Sequence, residues 1–176
     1  MADQGKPSEG SIEARINTLL LPGGGQPPLA IATAESCTGG NVAARLTSIA
    51  GSSEYVLGGI VAYANSAKEH LLGVSADTLA NHGAVSAECA REMAAGARRA
   101  FGADLAVATT GIAGPGGATA RKPVGLVYLA LDGPDGAKVE EFHFPGDRAT
   151  ITDAATVAAL LMLLRGIEDH MAPSAS

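Results

Sequence analysis

The chain has 176 residues, of which 47% are hydrophobic and 17% charged, with a formal net charge of −6. That balance supports one folded domain with a real core and excludes disorder over most of the length. Acidic charge, 3% aromatics and no tryptophan argue against binding a polyanion or stacking nucleic-acid bases.

Residues 1–9 read as a tail, 10–171 as a single domain and 172–176 as a second tail. Apolar residues at Ile12, Ile16, Leu19 and Leu20 predict a first helix, which Pro22-Gly23-Gly24-Gly25-Gln26-Pro27-Pro28 stops. Strands are predicted at Leu29–Ala34, Tyr55–Tyr63, Leu105–Thr110, Val124–Leu131 and Val139–Phe144. Helices are predicted at Gly39–Ile49, Ala67–Leu72, Ala76–His82, Ala87–Phe101 and Ala149–His170. Strands alternating with helices favour an α/β fold, and Asp132-Gly133-Pro134-Asp135-Gly136 reads as a hairpin link, so the sheet should be mixed. No leader is expected from the first residues, and the apolar run Val157–Leu164 is too short to span a bilayer. A cytoplasmic protein without membrane contact is the expectation.

Ala34-Glu35-Ser36-Cys37-Thr38-Gly39-Gly40 is where a strand ends and a helix begins. Ligands in open α/β sheets bind at such strand ends, and glycines there let backbone N–H groups approach a ligand. Ser36 is the candidate nucleophile, with a helix N-terminus expected to favour developing negative charge. Neighbours on an extended strand face opposite sides, so Cys37, with His143 as base, is the alternative to Ser36.

Gly58 to Glu69 reads as a strand running into a helix. Ser66 and Glu69 have the spacing of a capping box, which would place Lys68 in the first helical turn. A cation there is disfavoured by the helix dipole, and a lysine with a lowered pKa is a useful general base. Glu69 would oppose that shift if it faced the ammonium. Tyr63, at the strand end, could pass a proton between Ser36 and Lys68; a serine, a lysine and a tyrosine can together replace a Ser-His-Asp triad.

The glycine-rich stretch Gly111 to Pro123 follows an apolar strand, with Thr110 at its mouth. It could wrap an anionic ligand, but matches neither a P-loop nor a dinucleotide-binding spacing. Arg148, after Gly146-Asp147, could meet a phosphate. Four scattered histidines and two cysteines lack metal-ligand spacing, so no metal is expected.

Together these segments resemble the CinA C-terminal-domain family, also known as nicotinamide-nucleotide amidases. Matching pieces are Ala34 to Gly40, Gly59 to Lys68, Gly83-Ala84-Val85-Ser86, Thr110-Gly111-Ile112-Ala113-Gly114-Pro115, Lys122-Pro123-Val124-Gly125 and Phe144-Pro145-Gly146-Asp147-Arg148. The resemblance runs from about Ile12 to His170. It implies a three-layer α/β/α sandwich with a mixed, mostly parallel sheet, and hydrolysis of nicotinamide mononucleotide to nicotinate mononucleotide and ammonia. It puts Ser36, Tyr63 and Lys68 in catalytic positions. Thr38, Gly39, Gly40, Asn65, Thr110, Gly111, Ala113, Gly114 and Arg148 are the substrate-binding candidates. No cofactor and no nucleic-acid partner are implied, and a homodimer is expected. The alternative is a catalytically inactive, partner-binding domain linked to competence or DNA damage. The chain departs from the family pattern at Thr152, where a second arginine is usual, at Ala118 (glycine) and at Arg121 (often a carboxylate).

Overall fold

Small residues line one face of the sheet and large ones the other, and this asymmetry sets the layers. A computed structural model describes residues 10–21 and 29–172; the predicted stop at Pro22–Pro28 and nearly all of both tails lie outside it. The elements are α1 (Ile12–Leu20), β1 (Ile31–Glu35), α2 (Asn41–Thr47), a 3-10 turn at Ser52–Glu54 that the sequence reading missed, β2 (Val56–Val61) and α3 (Asn65–Leu72). They continue with α4 (Ala76–Asn81), α5 (Ala87–Phe101), β3 (Leu105–Gly111), β4 (Leu126–Gly133), β5 (Gly136–His143) and α6 (Arg148–Met171).

The five strands form one sheet in the order β2-β1-β3-β4-β5. β1 pairs in parallel with β2 and β3, whereas β3–β4 and β4–β5 are antiparallel. Four strands therefore run the same way and β4 opposes them. Gly133 pairs with Gly136 across the tight β4–β5 turn, where Gly136 has φ +92°.

Alternation along β3 separates the two faces. Leu105 and Val107 join Ile31, Val127, Leu129 and Leu131 beneath α6, with Ile151, Leu160, Leu163 and Ile167. Ala106 and Ala108 join Ala32, Ala34 and Ala130 beneath α5, with Ala90, Met93, Ala94 and Ala97. Alanines on both surfaces let α5 lie close to the sheet. Ser86 caps α5 by accepting from Cys89 N, and Gly102 ends it in a left-handed conformation. Gly96 serves the same close packing, because a Cβ there would stand 2.0 Å from Leu72 O of α3.

Read whole, α6 is long and apolar enough to cross a membrane by length and composition, which the shorter run Val157–Leu164 had not suggested. Its most apolar window is 56% buried inside the fold, the mark of a core helix.

Candidate active site

β1, β2 and β3 all end at one edge of the sheet, and the chemistry-bearing residues collect there. β1 delivers Glu35 and then Ser36, whose N–H donates to Thr109 O of β3 at 3.0 Å. The chain turns through Gly39 (φ +64°) and Gly40 (φ +103°) into α2. A side chain would be strained at either position.

Glu35 organises this turn. Its carboxylate is 1% exposed, an expensive place for a charge unless it is fully hydrogen-bonded. Oε2 accepts from Thr38 Oγ1 at 2.7 Å, Gly40 N at 2.9 Å and Val42 N at 3.1 Å, and Oε1 accepts from Ala43 N at 2.8 Å. Glu35 thus occupies the free amides that open α2. This corrects the sequence reading, which left that helix end open to negative charge on a ligand. The other missed residue is Thr109, which links Thr38 Oγ1 (2.7 Å) to Ser36 N (3.4 Å). The available signal was a carboxylate just before Ser36 in an otherwise apolar strand, with a Gly-Gly turn to follow.

Ser36 and Cys37 face opposite ways. Cys37 packs into the α6-side core, and burial pushes its thiol up to about 11. His143 is exposed and pairs with Glu141 at 2.9 Å. The alternative nucleophile and base are therefore not brought together. Ser36 meets Lys68 instead, with Nζ 3.0 Å from Oγ.

Lys68 is 1% exposed, and burial lowers its pKa, opposed by the nearby Cys89 and Cys37 thiols. Nζ also donates to Ala62 O at 2.7 Å and Tyr63 O at 3.3 Å. Two carbonyls absorb the two N–H bonds of a neutral amine. As an ammonium Nζ also donates to Ser36 Oγ; once deprotonated it would turn its lone pair to that hydroxyl, the geometry a general base needs. Glu69 is exposed and, among the described residues, forms no ion pair, so it does not oppose the burial that lowers the Lys68 pKa.

The capping box is corrected. α3 begins at Asn65 with Ala64 as N-cap and no side-chain cap bond, because extended backbone at Ala64 (ψ 153°) already starts the helix before Ser66. Lys68 still falls at the end of the first turn, donating its N–H to Ala64 O.

Tyr63 is brought to the site by its carbonyl, not by its phenol. The ring is 60% exposed, and its hydroxyl accepts from Arg148 Nη2 at 2.7 Å. No described contact joins it to Ser36 Oγ or Lys68 Nζ, so the proton relay is replaced by direct Lys68–Ser36 contact. Arg148 Nη1 donates to Gly114 O at 2.8 Å.

Of the substrate-binding candidates, Thr38 and Thr110 are closed to a ligand. Thr38 is 2% exposed and bound to Glu35, while Thr110 is 1% exposed and donates to Ala84 O at 2.6 Å. Lys122 reinforces the same loop by donating to Val85 O at 2.6 Å. Gly39 and Asn65 are exposed at the strand edge, Gly40 and Gly111 are half-buried, and Ala113 and Gly114 are buried. Beside Arg148 opens a cleft of about 920 Å³, lined by Asn41, Ala113, Pro115, Val124, Thr152 and Asp153 among others. Thr152 sits in its wall, where the family pattern would place an arginine. Among the described residues, no group of three or more His, Cys, Asp and Glu side chains is placed to hold a metal ion.

Fold and site together define an α/β domain with a buried serine–lysine pair at the strand ends. Residues 14–167 match the model of the CinA C-terminal domain. The chain belongs to the CinA C-terminal-domain family. It is 52% identical over 154 residues to a CinA-like protein of Citrifermentans bemidjiense, covering 88% of this chain and 36% of that one. It is 55% identical over 140 residues to a CinA-like protein of Mycobacterium sp. (strain JLS), covering 79% and 33%. The chain thus spans about a third of the length of these relatives. The solved structure of the competence/damage inducible protein CihA from Agrobacterium tumefaciens superposes with TM-score 0.82 at 44% identity, covering 90% of this chain and 96% of that one. The competence damage-inducible protein A from Klebsiella pneumoniae does so with TM-score 0.83 at 36% identity, covering 89% and 95%.

Proposed function

We propose that this domain is an amidohydrolase that converts nicotinamide mononucleotide to nicotinate mononucleotide and ammonia. The observation that carries the reading is the 3.0 Å contact between Lys68 Nζ and Ser36 Oγ, with the amine buried and its pKa lowered. Neutral Lys68 takes the Ser36 proton as Oγ attacks the carboxamide carbon. The oxyanion is held by N–H groups of Cys37 and Thr38, which no backbone carbonyl claims among the described residues. Lys68 returns the proton to the leaving nitrogen, ammonia departs, and the acyl group of nicotinate mononucleotide remains as an ester on Ser36. Water, deprotonated by Lys68, cleaves the ester and regenerates the serine. The residues supply every proton, so the scheme calls for no metal or cofactor.

We place the nucleotide in the cleft of about 920 Å³ that Arg148 lines with Asn41, Ala113 and Thr152. We place this activity in the cytoplasm and in a homodimer; sedimentation of the purified chain at twice the monomer mass is the expected result. The test of function is ammonia release from nicotinamide mononucleotide, compared with free nicotinamide. Release from the nucleotide, abolished in Ser36→Ala, is expected. Its absence from the folded wild type would leave a non-catalytic binding domain in its place.

A further inference from the structure

β1, which carries Ser36, lies between β2 and β3, and the three end at the same edge. Arg148 joins the segments that leave those two flanking strands. Its Nη2 holds the Tyr63 hydroxyl beyond β2, and its Nη1 holds Gly114 O beyond β3. A single guanidinium therefore bridges the segments that follow the two strands flanking the one that presents the nucleophile, and Ser36 is only 8% exposed.

Both acceptors on Arg148 are neutral. The nearest acidic neighbour in sequence, Asp147, accepts through Oδ1 from Thr150 N and Oγ1 at 2.9 and 2.7 Å. Among the described residues Arg148 forms no ion pair. An exposed guanidinium held only by a phenol and a carbonyl exchanges them readily for a phosphoryl group. The phenol and the carbonyl bring no charge to meet the guanidinium, whereas a phosphoryl group brings an opposite one, and the planar fork fits such a group bidentately.

We propose that Arg148 is an anion-operated latch. A phosphoryl group draws the guanidinium off Tyr63 and Gly114, which opens the strand end and frees the Tyr63 phenol to turn towards the reacting carboxamide. For its natural ligand this rests on the nucleotide-amidase reading above. The latch makes the phosphate a switch as well as a handle, so removing it from the substrate lowers kcat and not only affinity.

The chain has three tyrosines and no tryptophan, which suits labelling with 3-fluorotyrosine. Fluorine NMR of the full chain, with Tyr63→Phe identifying the Tyr63 signal, is followed while inorganic phosphate is added. The Tyr63 signal is expected to shift saturably, while that of buried Tyr55 stays put. In Arg148→Met it should rest away from its wild-type position and ignore phosphate; Arg148→Lys should need at least tenfold more phosphate. An unmoved Tyr63 signal in the wild type, or an unchanged phosphate response in Arg148→Met, overturns the latch. The readout does not depend on turnover. A chain that shifts without releasing ammonia keeps the latch and loses the amidase reading, and a chain that releases ammonia without the shift loses the latch alone.

Discussion

Replacing Glu35 with glutamine should loosen the turn that presents Ser36 while leaving the side-chain volume almost unchanged. In the native chain Oε2 accepts three hydrogen bonds, and Oε1 accepts one from Ala43 N at 2.8 Å and a long one from Thr33 Oγ1 at 3.5 Å. A glutamine that keeps its oxygen in the Oε2 position turns its NH2 towards the Ala43 N–H. One charge-assisted bond is then lost outright, worth about 1.5–3 kcal/mol, and the three at Oε2 fall to neutral strength. Release from burying a charge offsets part of that loss, so a net destabilisation of about 2–4 kcal/mol is expected. For a domain of this size that lowers Tm by about 4–16 °C. Urea denaturation of wild type and E35Q, followed by far-UV circular dichroism, measures it directly. Turnover should fall as well, because Ser36 N and Thr38 are tied to the same network. Stability within about 0.5 kcal/mol of the wild type would refute the assignment of Glu35 as the buried anchor of α2.

Burial depresses the pKa of Lys68 in the folded state below its unfolded value, so the unfolded chain binds the extra proton between those two values. The stability of the wild type relative to Lys68→Met should therefore rise with pH from the lowered pKa up to the ordinary lysine value, as read by denaturation at several pH values; a flat difference would contradict it. The same base should make kcat/KM rise with pH to a plateau reached below the ordinary lysine range, and Lys68→Met should lose at least about a hundredfold in rate. Cys37→Ala should keep turnover within a few-fold in the ammonia assay, since its thiol is buried in the α6-side core. Gly96→Ala should destabilise by about 1–3 kcal/mol, because the new Cβ meets a backbone oxygen of α3 that cannot swing aside.

Much of this architecture was legible wherever local chemistry and tertiary packing agree. The bounds of α5 follow from its apolar stripe, the Ser86 cap and the terminal Gly102, and β1 to β5 fall close to the apolar runs. The position of Lys68 was readable, although the reason given for it was not, since a good Ser66–Glu69 spacing lost to a helix that starts at Asn65. What stayed hidden depends on strand order and long-range contact. Only the assembled sheet decides that Ser36 faces α3 while Cys37 faces α6. The Arg148–Tyr63 bond joins residues 85 apart, and no local pattern announces it. Thr38 and Thr110 are ligand contacts by the family resemblance, but Glu35 and Ala84 take their hydroxyls first.

The central claim is that Lys68 makes the Ser36 oxygen the nucleophile. Turnover with nicotinamide mononucleotide, quenched in acid within one cycle and followed by peptide mass spectrometry, tests it most directly. An ester of nicotinate mononucleotide, through its pyridine carboxyl, on the peptide holding Ser36, localised to Ser36 by fragmentation and missing from Lys68→Met, is the expected result. Ammonia released at the wild-type rate by Ser36→Ala, or an acyl group found on Cys37, would contradict it.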